Sequence, residues 1–309
     1  MSTRRDAVRM DGVLLLDKPP GLTSNAALMA VKRRFGAASA GHTGALDPLA
    51  TGLLPVCLGE ATKVAGLFLD ADKSYVARLQ LGVATRTGDA EGEVIERAAV
   101  PELAVAAIAN VMAGFLGEQQ QIPPMYSALK QGGQPLYRLA RAGVEVERAA
   151  RPIVIHELLC RAWDAATGVL EFSGRCSKGT YVRVRGEEIA RALGTVGHLI
   201  ALRRTAVAGL PASMHTLDAL DALDPLARQA LLLPIAEALP QLPKLTLTAE
   251  EVDRIRHGQR LRVRAADAEA WLLLDSSGHA VGVAQVLDGR LQPTRVFQPP
   301  ELRASSTAR

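Results

Sequence analysis

The sequence predicts an α+β fold, a mixed and largely antiparallel sheet flanked by helices, with a small β-rich unit behind it. Two observations carry that expectation. Strand-length apolar runs interleave with helical 3.6-residue patterns in no strict βαβ order. A proline-rich break, "PQLPK" at Pro240 to Lys244, then precedes a final stretch that reads mostly as strand. With 309 residues and 48% hydrophobic content, the chain is long enough for one large domain and a small one. The expected units are residues 1–240 and 245–309, with insertion loops near 118–150.

Taken in order, "GVLLLD" from Gly12 to Asp17 reads as a short buried strand, and Pro19-Pro20-Gly21 breaks it. A helix starting at Thr23 or Ser24 puts Leu28, Val31 and Phe35 on one face and stops at Gly36. The stretch "GHTGALDPLATGLL" from Gly41 to Leu54 follows neither period and reads as an ordered loop. A strand around Leu53 to Leu58 and a helix around Glu60 to Leu69 come next. In "SYVARLQLG", Tyr75, Ala77, Leu79 and Leu81 alternate as in a half-buried strand that Tyr75 begins.

"TGDAEGEV" reads as a hairpin turn, and Pro101 to Leu116 as an amphipathic helix with proline in its first turn. "QQIPPMYSALKQGGQPLY" is a long irregular connection of the kind that carries function. Strands are expected from Pro152 to Arg175, and "TYVRVRGEEIARALG" passes from strand into a helix closed by Gly194. Asp218, Asp221 and Asp224 fall at three-residue spacing, which fits a solvated helix face better than a metal site. Thr248 is an N-cap signal just inside the small unit.

Composition excludes several classes. The first ten residues lack the apolar run of a signal peptide and no stretch is long enough to span a bilayer, so a soluble cytoplasmic protein is expected. Cys57, Cys160 and Cys176 are widely spaced and outside any CxxC pattern, which points to inert thiols rather than disulfides or zinc. No GxGxxG, Walker A or GxSxG signature occurs, and His42 with Asp47 offers a metal only two ligands. Neither a cofactor nor a metal is expected. The net charge of +4 favours a polyanionic partner.

Asp47 stands alone in its loop, before Pro48, which pushes it toward an extended backbone and away from capping a helix. A lone carboxylate carries its charge near neutral pH and needs positioning rather than activation to serve as nucleophile or base. Arg183, past a glycine-containing turn, offers a guanidinium that can grip a carboxylate through two hydrogen bonds, although spacing alone favours a surface or phosphate-binding arginine. Basic residues cluster at Lys32, around Arg203 and Arg204, and in "RIRHGQRLRVR". There, alternation puts Arg260, Arg262 and Arg264 on one strand face, suited to tracking a phosphate backbone.

Together "LLLDKPPGLTSN", "GHTGALDPLATGLLPVCLGEATK", "QIPPMYSALK" and "CSKGTYVRVRGEEIARALG" followed by "HLIALRRTAV" closely resemble the TruB family, across most of residues 12–207. These are bacterial tRNA pseudouridine synthases acting on the uridine at position 55 of the T arm. The resemblance implies a pseudouridine-synthase-like fold with a PUA-like C-terminal domain, a monomer whose partner is the tRNA T arm, and no membrane contact. It implies that Asp47 is the catalytic aspartate, Tyr75 stacks on the flipped base and assists proton removal, and Arg183 pairs with Asp47. His42 takes part in base flipping, Lys18 and Pro19 brace the active-site loops beside the substrate, and Tyr181 and Leu202 line the uracil pocket. Arg86 stands where many relatives have aspartate, and Glu187-Glu188 where Asp-Asp is frequent. A base-flipping uracil glycosylase and a non-catalytic tRNA-binding or tRNA-folding module are the alternative readings.

Overall fold

A computed structural model describes residues 10–298, so both outer ends of the expected units lie outside the described residues. The chain begins with β1 (Gly12–Lys18), α1 (Ser24–Phe35), β2 (Ala40–His42) and β3 (Thr51–Leu58). A 3₁₀ turn at Gly59–Val64 leads into α2 (Ala65–Leu69), β4 (Lys73–Leu81) and the hairpin β5 (Val83–Thr85) and β6 (Val94–Arg97). Then come α3 (Val105–Ala113), β7 (Gly117–Gln121), the small hairpin β8 (Lys130–Gln131) and β9 (Gln134–Pro135), and α4 (Leu136–Arg141). Two long strands, β10 (Arg151–Asp164) and β11 (Val169–Cys176), precede α5 (Val182–Ala192) and β12 (Gly197–Val207).

The main sheet runs β1-β3-β12-β4-β11-β10-β7, with β2 also paired to β3. Every pairing in it is antiparallel except β12 with β3. β1 is buried on both faces, which is why its apolar run is continuous. Leu14 and Leu16 join Leu28, Val31 and Phe35 of α1 on one side, while Val13 and Leu15 pack on the other with Phe68, Leu272 and Phe297. Each such side chain contributes roughly 1.5–3 kcal/mol relative to exposure.

Three short helices, α6 (Leu217–Asp221), α7 (Pro225–Gln229) and α8 (Ile235–Ala238), lead to a second, five-stranded sheet. It is built from β13 (Lys244–Thr246), β14 (Leu261–Arg262), β15 (Ala268–Leu274), β16 (Ala280–Leu287) and β17 (Arg290–Val296), with α9 (Ala249–Arg256) following β13. Thr248 and Glu251 form a reciprocal capping box at the start of α9. The two sheets share a core, since Leu272, Val283 and Phe297 pack in the same cluster as Val13 and Leu53.

Several local expectations are met for the stated reasons. Thr23 caps α1 by accepting from the Ala26 amide at 3.1 Å, and Gly36 ends it at φ +59°. Others are corrected. α3 starts at Val105 rather than Pro101, because Val100 and Leu103 lie against the core ahead of the helix. "TYVRV" is not a strand, since α5 begins at Val182 and buries Arg183, Arg185, Gly186, Ile189 and Ala190 at helical spacing. Reading those arginines as outward-facing hides that period. β7, "GEQQQ", carries no apolar signal yet pairs with β10 at the edge of the sheet. Asp224 caps α7 and Asp221 grips Arg34 at 2.6 Å, so this acidic stretch serves short helices rather than one long face.

Among the described residues no helix is long and apolar enough to cross a membrane. The three cysteines are unpaired, and burial pushes the Cys57 thiol up to about 12 and Cys176 to about 11, consistent with inert thiols.

Candidate active site

The sheet register aligns the motif residues in one row. Lys18 on β1 sits opposite Gly52 on β3, Gly52 opposite Arg204 on β12, and Arg204 opposite Tyr75 on β4. Gly52 must be glycine here: its φ is +95°, and a Cβ would lie 2.1 Å from the Arg204 carbonyl oxygen. The loop between β2 and β3 leaves this row and carries Asp47.

That loop is clamped from four elements. The Ser24 hydroxyl on α1 donates to the Leu46 carbonyl at 2.9 Å and accepts from the Leu46 amide at 2.7 Å. Lys18 Nζ donates to the carbonyls of Pro19, Pro48 and Ala50 at 2.9, 3.3 and 2.7 Å. Arg204 Nη2 donates to the Gly44 carbonyl at 3.1 Å while its Nε holds Leu53 at 2.6 Å. Arg183 of α5 holds Asp47 itself, donating from Nε to Oδ2 at 2.8 Å. Backbone closure adds two bonds, from Gly21 to the Pro48 carbonyl at 2.9 Å and from Ala50 to the Asp47 carbonyl at 3.0 Å.

Arg183 is the hub. Its side chain is 5% exposed, and its Nη1 and Nη2 donate to the carbonyls of Thr87 at 2.5 Å and Tyr126 at 2.7 Å. Asp89, also 5% exposed, brings a second carboxylate to 3.6 Å from Nε and is held by the Thr87 hydroxyl at 2.5 Å. One guanidinium thus ties together the Asp47 loop, the β5–β6 hairpin and the connection after β7. The Asp47 side chain stays 41% exposed.

Asp47 borders two clefts. One, of about 710 Å³, also takes in Tyr75, Tyr181, Leu202, Arg183 and Arg204. The other, of about 1020 Å³, takes in His42, Asp89 and Tyr126 with the β5–β6 turn. The structure therefore gathers Asp47, Tyr75, Arg183, Tyr181 and Leu202 in one place. His42 borders the cleft that Tyr75 does not, and Lys18, fully buried behind the loop, borders neither. Lys18 braces the loop from within, so its placement beside substrate is not what the geometry gives.

Electrostatics follow burial. Desolvation pulls Lys18 down to about 8, against the opposing pull of Glu91 and Asp47. Burial raises the Tyr75 phenol, and a hydrogen bond with Arg204 works the other way; the phenol is neutral near pH 7. Burial also raises Tyr181, and together with Arg204 it lowers His42.

Arg204 belongs to no surface patch, contrary to its place in the expected basic cluster: it is 1% exposed, its charge spent on loop carbonyls. Asp89, Ser24 and Gln121 also serve the site, and nothing local in the sequence marks them for it. Gln121 accepts from the Tyr181 amide at 2.8 Å and donates to the Tyr181 carbonyl at 3.2 Å, setting that residue in the cleft. No periodicity marks these polar side chains: Ser24 and Gln121 find their partners across the fold, and Asp89, held locally by Thr87, meets its counter-charge Arg183 only there.

The profile described as "TruB family pseudouridylate synthase (N terminal domain)" matches residues 32–182, and "Pseudouridine synthase II TruB, C-terminal" matches residues 243–297. A tRNA pseudouridine synthase B of Hydrogenovibrio crunogenus is 47% identical over 94% of this chain and 94% of its own. That of Chromohalobacter salexigens is 47% identical over 98% of this chain and 99% of its own. Among solved structures, a chain of a Cbf5-Nop10-Gar1 complex shares the fold with TM-score 0.72 at 24% identity, covering 94% of this chain and 86% of the other.

Proposed function

The chain belongs to the TruB family of pseudouridylate synthases, and from that premise we propose that it isomerises uridine 55 in the tRNA T arm, with Asp47 as the reacting carboxylate. The observation that carries this reading is a half-exposed carboxylate held rigid by a buried arginine at the junction of two clefts. The target base lies inside folded RNA and must be flipped out, at a cost of a few kcal/mol, before any side chain reaches it. The cleft with Tyr75, Tyr181 and Leu202 then receives the base, Tyr75 stacking on it, while His42 in the other cleft assists the flip.

Asp47 reacts with the nucleoside and the N-glycosidic bond breaks. The uracil turns over in the cleft, and a ring carbon bonds to the ribose. That carbon loses its proton and the released ring nitrogen gains one, so nothing is added or lost. The Tyr75 hydroxyl, in the same cleft as Asp47, assists removal of this proton. Arg183 fixes the attack direction, and Lys18 with Pro19 stiffens the loop behind it.

Residues 1–240 act as the catalytic unit and 245–309 as an RNA-binding unit, the latter supported by exposed Arg260, Arg262 and Arg264. In this reading a monomer works on its tRNA substrate in the cytoplasm. Asp47→Asn is expected to abolish pseudouridine formation, read by site mapping in tRNA, while tRNA affinity stays within about tenfold, or 1.4 kcal/mol. A variant that keeps turning over would overturn the assignment. RNA mass should stay unchanged; release of uracil with an abasic site would point to a glycosylase.

A further inference from the structure

The larger cleft poses a charge problem for an RNA substrate. Four carboxylates line it: Asp47, Asp89, Glu91 and Glu93. Against them stand two cations among the lining residues, Arg86 on the β5–β6 hairpin and Arg141 at the end of α4. Arg183, buried behind this wall, offsets one charge of the Asp47 and Asp89 pair it holds, so four carboxylates face three cations and the cleft keeps a small negative excess. Arg86 and Arg141 are the lining cations not already held by Asp47 or Asp89, so they are the groups placed to meet the phosphates of a polyanion in this cleft.

Arg86 is built for that contact. Its backbone amide donates to the Glu93 carbonyl at 2.9 Å, so the strand pairing sets its place. The turn below is tied to β12 through Ala90 to Leu199 at 2.9 Å and Leu199 to Gly88 at 3.0 Å. Its side chain, 58% exposed, meets Glu93 only at 3.6 Å, and Glu93 is itself 83% exposed. So loose a surface pair is worth little, and the guanidinium can exchange it for a phosphate at small cost. Arg141, with its guanidinium 5.7 Å from the Tyr137 ring centroid, lines the same cleft.

We propose that Arg86, together with Arg141, grips the phosphates of the RNA strand next to the nucleotide delivered to Asp47. The proposal rests on an RNA strand passing this cleft, as the proposed function requires. Binding of an unmodified tRNA transcript is measured between 50 and 200 mM salt for the whole protein, Arg86→Ala and Arg86→Lys. Loss of one phosphate contact lowers the slope of log affinity against log salt by about 0.7–0.9, so across this range the variant's affinity falls about threefold less than the wild type's. Arg86→Ala should show that loss and Arg86→Lys should restore the slope.

An Arg86→Ala slope equal to wild type overturns the proposal. So does an equal loss in Arg86→Lys, which would mean a structural role. The slopes read binding alone. If the wild-type protein binds tRNA but forms no pseudouridine, the proposed reaction fails and the Arg86 contact is still decided.

Discussion

Removing the guanidinium of Arg183 tests the hub directly, and Arg183→Met keeps most of the side-chain volume while doing so. The change leaves the carbonyls of Thr87 and Tyr126 without their donor and Asp89, 5% exposed, without its cation. Asp47 is 41% exposed and rehydrates, so its share of the loss is small. Breaking a buried pair from one side costs about 3–5 kcal/mol. At about 2–4 °C per kcal/mol for a unit of this size, the melting temperature should fall by about 6–20 °C in calorimetry. By the same reasoning Asp47→Asn should cost less than about 1 kcal/mol, because Arg183 keeps its other partners. An Arg183→Met protein melting within about 2 °C of wild type would refute the hub, since no buried charge would then depend on it.

Other consequences are equally direct. Tyr75→Phe should keep RNA affinity but slow single-turnover formation of pseudouridine, whereas Tyr75→Ala should impair both; equal rates for Phe and wild type would limit Tyr75 to stacking. Gly52→Ala forces a Cβ to within 2.1 Å of the Arg204 carbonyl at a positive φ, and should cost about 3 kcal/mol or more in urea denaturation. Lys73, which donates to the carbonyls of Leu69 and Ala71 at 2.6 Å each, is pulled by burial down to about 8. Between that value and the ordinary lysine value near 10.5, the folded chain binds fewer protons than the unfolded one, so this group makes stability rise with pH. Stability measured at about pH 8 and pH 10 should therefore change less favourably with pH in Lys73→Met; an identical pH dependence in the two proteins would refute it.

Much of the fold was legible because local chemistry agreed with it. The Thr23 and Gly36 caps of α1, the Thr248 capping box and the alternation through Ala77, Leu79 and Leu81 all act within a few residues. Legibility failed where polar groups turn inward. "TYVRV" alternates like a strand, yet α5 wins there because Arg183 and Arg185 are buried with partners far along the chain.

At the candidate site, local residue chemistry was enough to reveal a glycine-rich loop presenting one carboxylate, and motifs similar enough to a known family to single out Asp47, Tyr75 and Arg183. How that loop is held emerges only when the chain is folded. Lys18, Gly52, Arg204 and Tyr75 come from four strands, and nothing but sheet register puts them in one row. The same holds for Asp89 and Arg86. One is buried against Arg183 and the other is presented to the second cleft, a difference that no local pattern of charges encodes. A buried ion is tolerated only where distant backbone and counter-charge converge on it, and that convergence is a property of the folded chain.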